Sequence, residues 1–174
     1  MDMRFPIIPI LSILIAAAMV IGVIFLVRFI IKKRQRIKVN GDRTAKKWYV
    51  MTALCVVIML CSWILNMGWF RVILTWLPLP LIHTVFFILI NLKAAAKASS
   101  SQRLEKYMIL SCLTYLLPYL LFPDGGDIGG MYFFFGLIHN DTVAKIMMYI
   151  TPILFNINIA VLILESIELR RCKS

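Results

Sequence analysis

The sequence predicts an all-α fold: a polytopic helical integral membrane protein of about five transmembrane helices in one bundle, N-terminus outside and C-terminus inside. Three observations predict it. Of the 174 residues, 61% are hydrophobic and the mean hydropathy is +0.89, against about 45–50% apolar residues in a soluble domain. Five stretches carry no charged residue: Phe5–Val27, Trp48–Phe70, Val72–Leu92, Tyr107–Pro123 and Ile146–Leu164. The basic residues gather in alternate connecting segments.

A helix rises about 1.5 Å per residue, so about 20 residues cross the hydrocarbon core. The first three stretches have 23, 23 and 21 residues, the fifth has 19 and the fourth, with 17, is short. The spans are therefore placed at about 5–31, 48–68, 72–96, 107–123 and 143–165 of a single membrane domain, 1–174. Barrel strands alternate apolar and polar residues with period two, and "IIPILSILIAAAMVIGVIFLV" does not. The first run continues past Ala16-Ala17-Ala18 to Val27. That exceeds the h-region of about 7–15 residues in a signal peptide, so an uncleaved anchor is expected.

Residues 28–47 hold nine of the nineteen Lys and Arg, residues 93–106 hold four, and the C-terminal "RRCKS" holds three. With five spans all three segments fall on one side, the positive-inside pattern. The basic loop 32–47 is then cytosolic. Lys32, Lys33, Arg34, Arg36 and Lys38 are its candidate contacts to lipid headgroups. Topology alone accounts for the same pattern. No aromatic-interleaved basic patch suggests nucleic acid. The bilayer is the expected partner, together with a membrane protein or a second copy of the chain. The expected address is a bacterial inner (plasma) membrane.

Each span has its own polar pattern. The first offers Ser12/Ala16 and Ala18/Gly22, small pairs that permit close helix approach. The second carries Thr52, Cys55, Ser62 and Asn66 on one face. The third is interrupted by Pro78 and Pro80, which lack the N–H a helix interior needs. Either the helix kinks there, or residues 68–77 form an interfacial elbow with Trp69, Arg71 and Trp76 at headgroup depth; the elbow is preferred. The fourth carries Tyr107, Ser111, Thr114, Tyr115 and Pro118, and the fifth repeats Thr151, Asn158 and Glu165 every seven residues. These faces are expected to point into the bundle.

Between the last two spans, residues 123–142 form an outer loop, acidic at Asp124, Asp127 and Asp141 and aromatic at Phe133–Phe135. Its uncharged part is too short to cross, so it is expected to lie at headgroup depth or fold over the bundle mouth as a lid. Asn140, Asp141 or Thr142 can cap the last helix, and Asp141 can pair with Lys145.

His83, Asn66, Thr151 and Asn158 are the candidate lining of a polar cavity or partner face. For His83 the plainer expectation is an imidazole bonded to a carbonyl freed by Pro78 or Pro80. Asp124, Asp127, His139 and Asp141 have the donors for a cation, although no metal motif is present and a solvated acidic turn explains them more simply. Glu165, near the inner end of the last span, is a candidate for proton coupling; the plainer expectation places it at the inner interface, reaching Arg170 or Arg171. The four cysteines form no C-x-x-C, and no hydrolase, metalloprotease or phosphate-loop motif occurs. No cofactor or metal is implied. The expected function is that of a non-catalytic accessory, immunity or regulatory subunit acting through intramembrane partners. A transporter or solute-binding component with a cavity beneath the outer loop is the alternative. An intramembrane enzyme built on His83, His139 and the loop aspartates ranks third.

Overall fold

The structure, a computed structural model, describes residues 43–66, 68–125 and 130–172. The first span, the headgroup contacts at Lys32, Lys33, Arg34, Arg36 and Lys38, and Asp127 lie outside them. The described chain is helical: α1 Arg43–Leu65, α2 Trp69–Trp76, α3 Leu79–Ala95, a 3-10 turn Ala98–Ser100, α4 Gln102–Leu121 and α5 Asp141–Arg171. A two-residue antiparallel hairpin, β1 Tyr132–Phe133 and β2 Ile138–His139, precedes α5.

The helices fall where the charge-free stretches placed the last four spans, with shifted ends. α1 starts at Arg43, five residues inside the expected basic loop. α4 starts at Gln102 because Ser101 accepts the Leu104 N–H at 3.3 Å and caps it. Asn140 caps α5 in the same way, accepting from Val143 N–H at 3.1 Å. α5 has 31 residues, about 46 Å of helix. The third expected span is broken between Trp76 and Leu79, where α2 and α3 meet at 68°. α1 and α5 are long and apolar enough to cross a membrane, and the bent α2–α3 pair makes a third candidate if it is one span. α4 is not among them, since its first turns hold Arg103, Glu105 and Lys106 and its buried face holds Ser111, Thr114 and Tyr115.

α5 packs most extensively on α4, and α1 lies against α3 and α4. The main apolar cluster joins Cys55, Met59 and Trp63 of α1 to Phe87 and Ile88 of α3, Tyr115 and Tyr119 of α4, and Leu162 of α5. A second cluster closes the other end around Trp48, Ala94, Leu104, Met108 and Leu169. The polar stripes do face inward: Thr52, Ser62, Asn66, Ser111, Thr151, Asn158 and Glu165 are all buried. Their outward neighbours are large and apolar, among them Val57, Ile64, Phe86, Leu113, Ile153 and Ile163.

Candidate functional site

A cavity of about 880 Å³ lies between α3, α4 and α5, and its wall is almost wholly apolar. Prolines shape it. Pro80 begins α3, Pro118 lies within α4 and Pro152 within α5, and all three line the space. Each lacks a backbone donor; within α4 and α5, Pro118 and Pro152 leave the carbonyl one turn earlier without its usual helical partner, whereas Pro80 sits in the first turn of α3, where no such bond is due. Thr151, Phe155, Asn156 and Ile159 of α5 continue the wall, which ends at Ser166, Ile167 and Arg170. The cavity thus extends along most of α5, about 29 Å of helix from Thr151 to Arg170.

Its polar floor is built around His83. The ring Nδ1 lies 2.8 Å from the Tyr119 hydroxyl and Nε2 lies 2.7 Å from Asn158 Oδ1. As an acceptor-only atom, Asn158 Oδ1 requires the proton on Nε2, so a neutral ring takes the Tyr119 O–H at Nδ1. The Asn158 amide donates in turn to the Ser111 carbonyl at 3.0 Å and to Thr114 Oγ1 at 2.8 Å. The imidazole stacks at 4.2 Å from the Phe155 ring and 5.4 Å from Tyr115. Tyr115 itself shares a 2.9 Å hydrogen bond with Thr84 and stacks on Phe87 at 3.8 Å. Both ring nitrogens are therefore held, and the rotamer is fixed by packing.

Of the expected cavity residues, His83 and Asn158 are in direct contact and Thr151 lines the same space. Asn66 is buried at the end of α1, next to the Gly136 backbone and away from the cavity. The plainer expectation for His83 does not hold, because its partners are side chains. Thr84 Oγ1 bonds back to the Pro80 carbonyl at 2.7 Å. Tyr119 and Trp63, which also line the cavity, escaped the sequence reading. Tyr119 directly follows the helix-four stripe, and a second tyrosine four residues after Tyr115 was its only signal.

Of the expected outer acidic group, Asp124, His139 and Asp141 lie among the described residues and Asp127 does not. Among the described residues no three His, Cys, Asp or Glu converge as metal ligands. Asp124 is fully buried rather than solvated. Its Oδ2 accepts from Gly68 N–H at 3.0 Å and Arg71 N–H at 2.8 Å; its Oδ1 accepts from Phe70 N–H at 3.1 Å and Gly125 N–H at 2.8 Å. The carboxylate thus caps α2, where the helix dipole favours a negative charge. Gly68 is required there, since a Cβ would overlap the Asp124 carboxylate. Asp141 accepts from Met131 N–H at 2.8 Å instead of pairing with Lys145, and His139 packs against the Tyr132 ring at 5.8 Å. The Tyr132 phenol is pushed up by burial first and then by the Asp124 charge.

Arg71 is the largest departure from the expected interface anchors. It is fully buried. Its guanidinium donates to the carbonyls of Ser62 at 2.5 Å, Tyr119 at 3.0 Å and Phe122 at 2.9 Å, and lies 5.1 Å from the Trp63 ring. One side chain therefore satisfies the carbonyl ends of both α1 and α4, while its own backbone N–H is held by Asp124. Glu165 departs in the same direction: it is fully buried, and Arg171 pairs with Glu168 at 3.7 Å instead.

The hairpin does not roof the cavity. None of the described residues 130–139 lines it. Phe134, Phe135 and Gly136 all have positive φ at the tip, and Phe134 N–H bonds the Leu120 carbonyl at 2.9 Å. Phe133 is buried beneath it. The segment is thus packed on the C-terminal ends of α1 and α4. Comparison with protein-family models, curated proteins and solved structures finds no match for this chain.

Proposed function

We propose that this chain is a five-span inner-membrane protein that binds an amphipathic, chain-like molecule in the cavity between α3, α4 and α5. The single observation that carries this reading is the cavity itself. At about 880 Å³ it lies within the range of about 300–1,000 Å³ typical of small-molecule sites. Its wall suits an alkyl chain. Its polar atoms are few and convergent, as such sites require: His83, Tyr119, Thr151 and Asn156 near one end and Arg170 at the other. A guanidinium at the basic end suits a phosphate or carboxylate headgroup. A small polar solute would leave most of that wall unsatisfied.

This cavity favours the solute-binding reading over that of an accessory subunit. The positive-inside distribution supports the orientation, with Arg170 and Arg171 at the cytosolic end. Single-chain phospholipid is the proposed ligand class, and oleoyl lysophosphatidylglycerol is the probe. Native mass spectrometry of the detergent-purified chain is expected to show one saturable adduct. Ile159→Trp, which fills the cavity, should weaken it about tenfold, equal to about 1.4 kcal/mol, with helical content unchanged. Non-saturable adducts, or equal retention by Ile159→Trp, would refute the assignment.

A further inference from the structure

Glu165 has no part in the cavity wall, and its surroundings set it apart. Its side chain is fully buried, and neither carboxyl oxygen has a hydrogen-bond partner among the described residues. An unpaired carboxylate in a membrane interior is expensive, and such residues commonly mark proton or ion pathways. Among the described residues, three cations nearby in sequence or at the same end are engaged elsewhere. Lys97 Nζ donates to the Cys172 carbonyl at 2.9 Å, Arg171 pairs with Glu168, and Lys47 pairs with Glu105 at 3.9 Å. Arg170 is exposed and lines the cavity. What faces Glu165 comes from α4, the Ser111 hydroxyl and the Cys112 thiol, with Cys55 of α1 behind Cys112.

Ser111 is also the end of the network that leads to the cavity. Its carbonyl accepts from Asn158 at 3.0 Å, Asn158 meets His83 at 2.7 Å, and His83 meets Tyr119 at 2.8 Å. Its hydroxyl bonds Asn91 Oδ1 at 3.2 Å. Asn158 lies seven residues before Glu165 on the same buried face of α5. From Ser111, which faces Glu165, a string of hydrogen-bonded polar groups thus runs to the cavity floor.

We propose that Glu165 is a proton-binding site that links proton uptake from the inner end of the bundle to occupancy of the cavity. The link rests on the cavity reading above; the proton site does not. In the step, one proton leaves water and adds to a carboxylate oxygen. An O–H bond forms, the site loses its negative charge, and no electrons are exchanged with another group. The acid gains a donor, and Ser111 is the acceptor facing it. Any shift of Ser111 is felt by Asn158, and through its amide by His83 and Tyr119.

The test uses the full chain in detergent and two readouts. Infrared difference spectra between about pH 4 and about pH 9, the span from free to buried glutamic acids, should contain a protonated-carboxyl band that Glu165→Gln lacks and Glu165→Asp restores. Binding of oleoyl lysophosphatidylglycerol, whose phosphodiester does not titrate in that range, should change at least about fivefold, the lower end of coupled sites. That change should vanish in Glu165→Gln. Ser111→Ala should keep the infrared band and weaken the pH effect on binding, and so separates the link from the site if Glu165→Gln folds poorly. Absence of a Glu165 band in the wild type overturns the proton site. A band with pH-independent binding overturns the link. A band with no binding at any pH overturns the cavity reading and leaves the proton site standing.

Discussion

Replacing Asp124 by Asn tests the account of the outer end most sharply, because size is kept while charge and one acceptor are lost. The carboxylate accepts four backbone N–H groups, two on each oxygen. An amide oxygen can keep one such pair, and its NH₂ then confronts the donors of the other. Hydrogen bonds to charged groups contribute about 1.5–3 kcal/mol each, so two lost bonds amount to about 3–6 kcal/mol. The buried Arg71 guanidinium, bonded to carbonyls and not to Asp124, also loses the favourable field of a nearby carboxylate. The two effects share one group and do not add. A loss of about 4 kcal/mol is expected, a large share of the usual 5–15 kcal/mol. SDS-induced unfolding in maltoside micelles, followed by circular dichroism, measures it. Arg71→Met in the same background should cost less than in the wild type, since the two residues act together. A loss below about 1 kcal/mol for Asp124→Asn would refute the capping argument.

Asn158→Leu removes the amide's two donated bonds and its contact with His83, and at about 0.6 kcal/mol for each in a membrane it should cost about 2 kcal/mol in the same assay. Asn140→Ala takes away the α5 cap and should cost about 1 kcal/mol, with exchange of the Val143 amide accelerated. Single cysteines placed at 125–130 in a chain stripped of native thiols should react with an impermeant reagent added outside, and those at 35–45 should not; the reverse result would invert the orientation.

Much of the helical layout was legible because it depends on local chemistry. Pro78 and Pro80 announce the break between α2 and α3, Asn140 announces its cap, and the seven-residue spacing of Thr151, Asn158 and Glu165 announces a buried face. The errors share another origin. Arg71 beside two tryptophans resembles an interface anchor, and Asp124 in a glycine-rich turn resembles a solvated acid. Each is buried because groups distant in sequence converge on it: the carbonyls of Ser62, Tyr119 and Phe122 for one, the N–H groups of Gly68, Phe70 and Arg71 for the other. Spacing along a single chain does not encode that convergence. Glu165 was assigned to Arg170 or Arg171 by proximity in sequence, but α5 continues as helix through both, and helical geometry favours Arg171 with Glu168, three residues apart. The cavity was invisible as a shape, although two residues of its wall, His83 and Thr151, were among the expected polar lining.

Arg71 and Asp124 together fasten the ends of α1 and α4, the start of α2 and the root of the hairpin at a single point. That end of the described bundle is therefore a keystone: removing either side chain unties three helices and the hairpin together, whereas loss of a cap such as Asn140 frays one element alone.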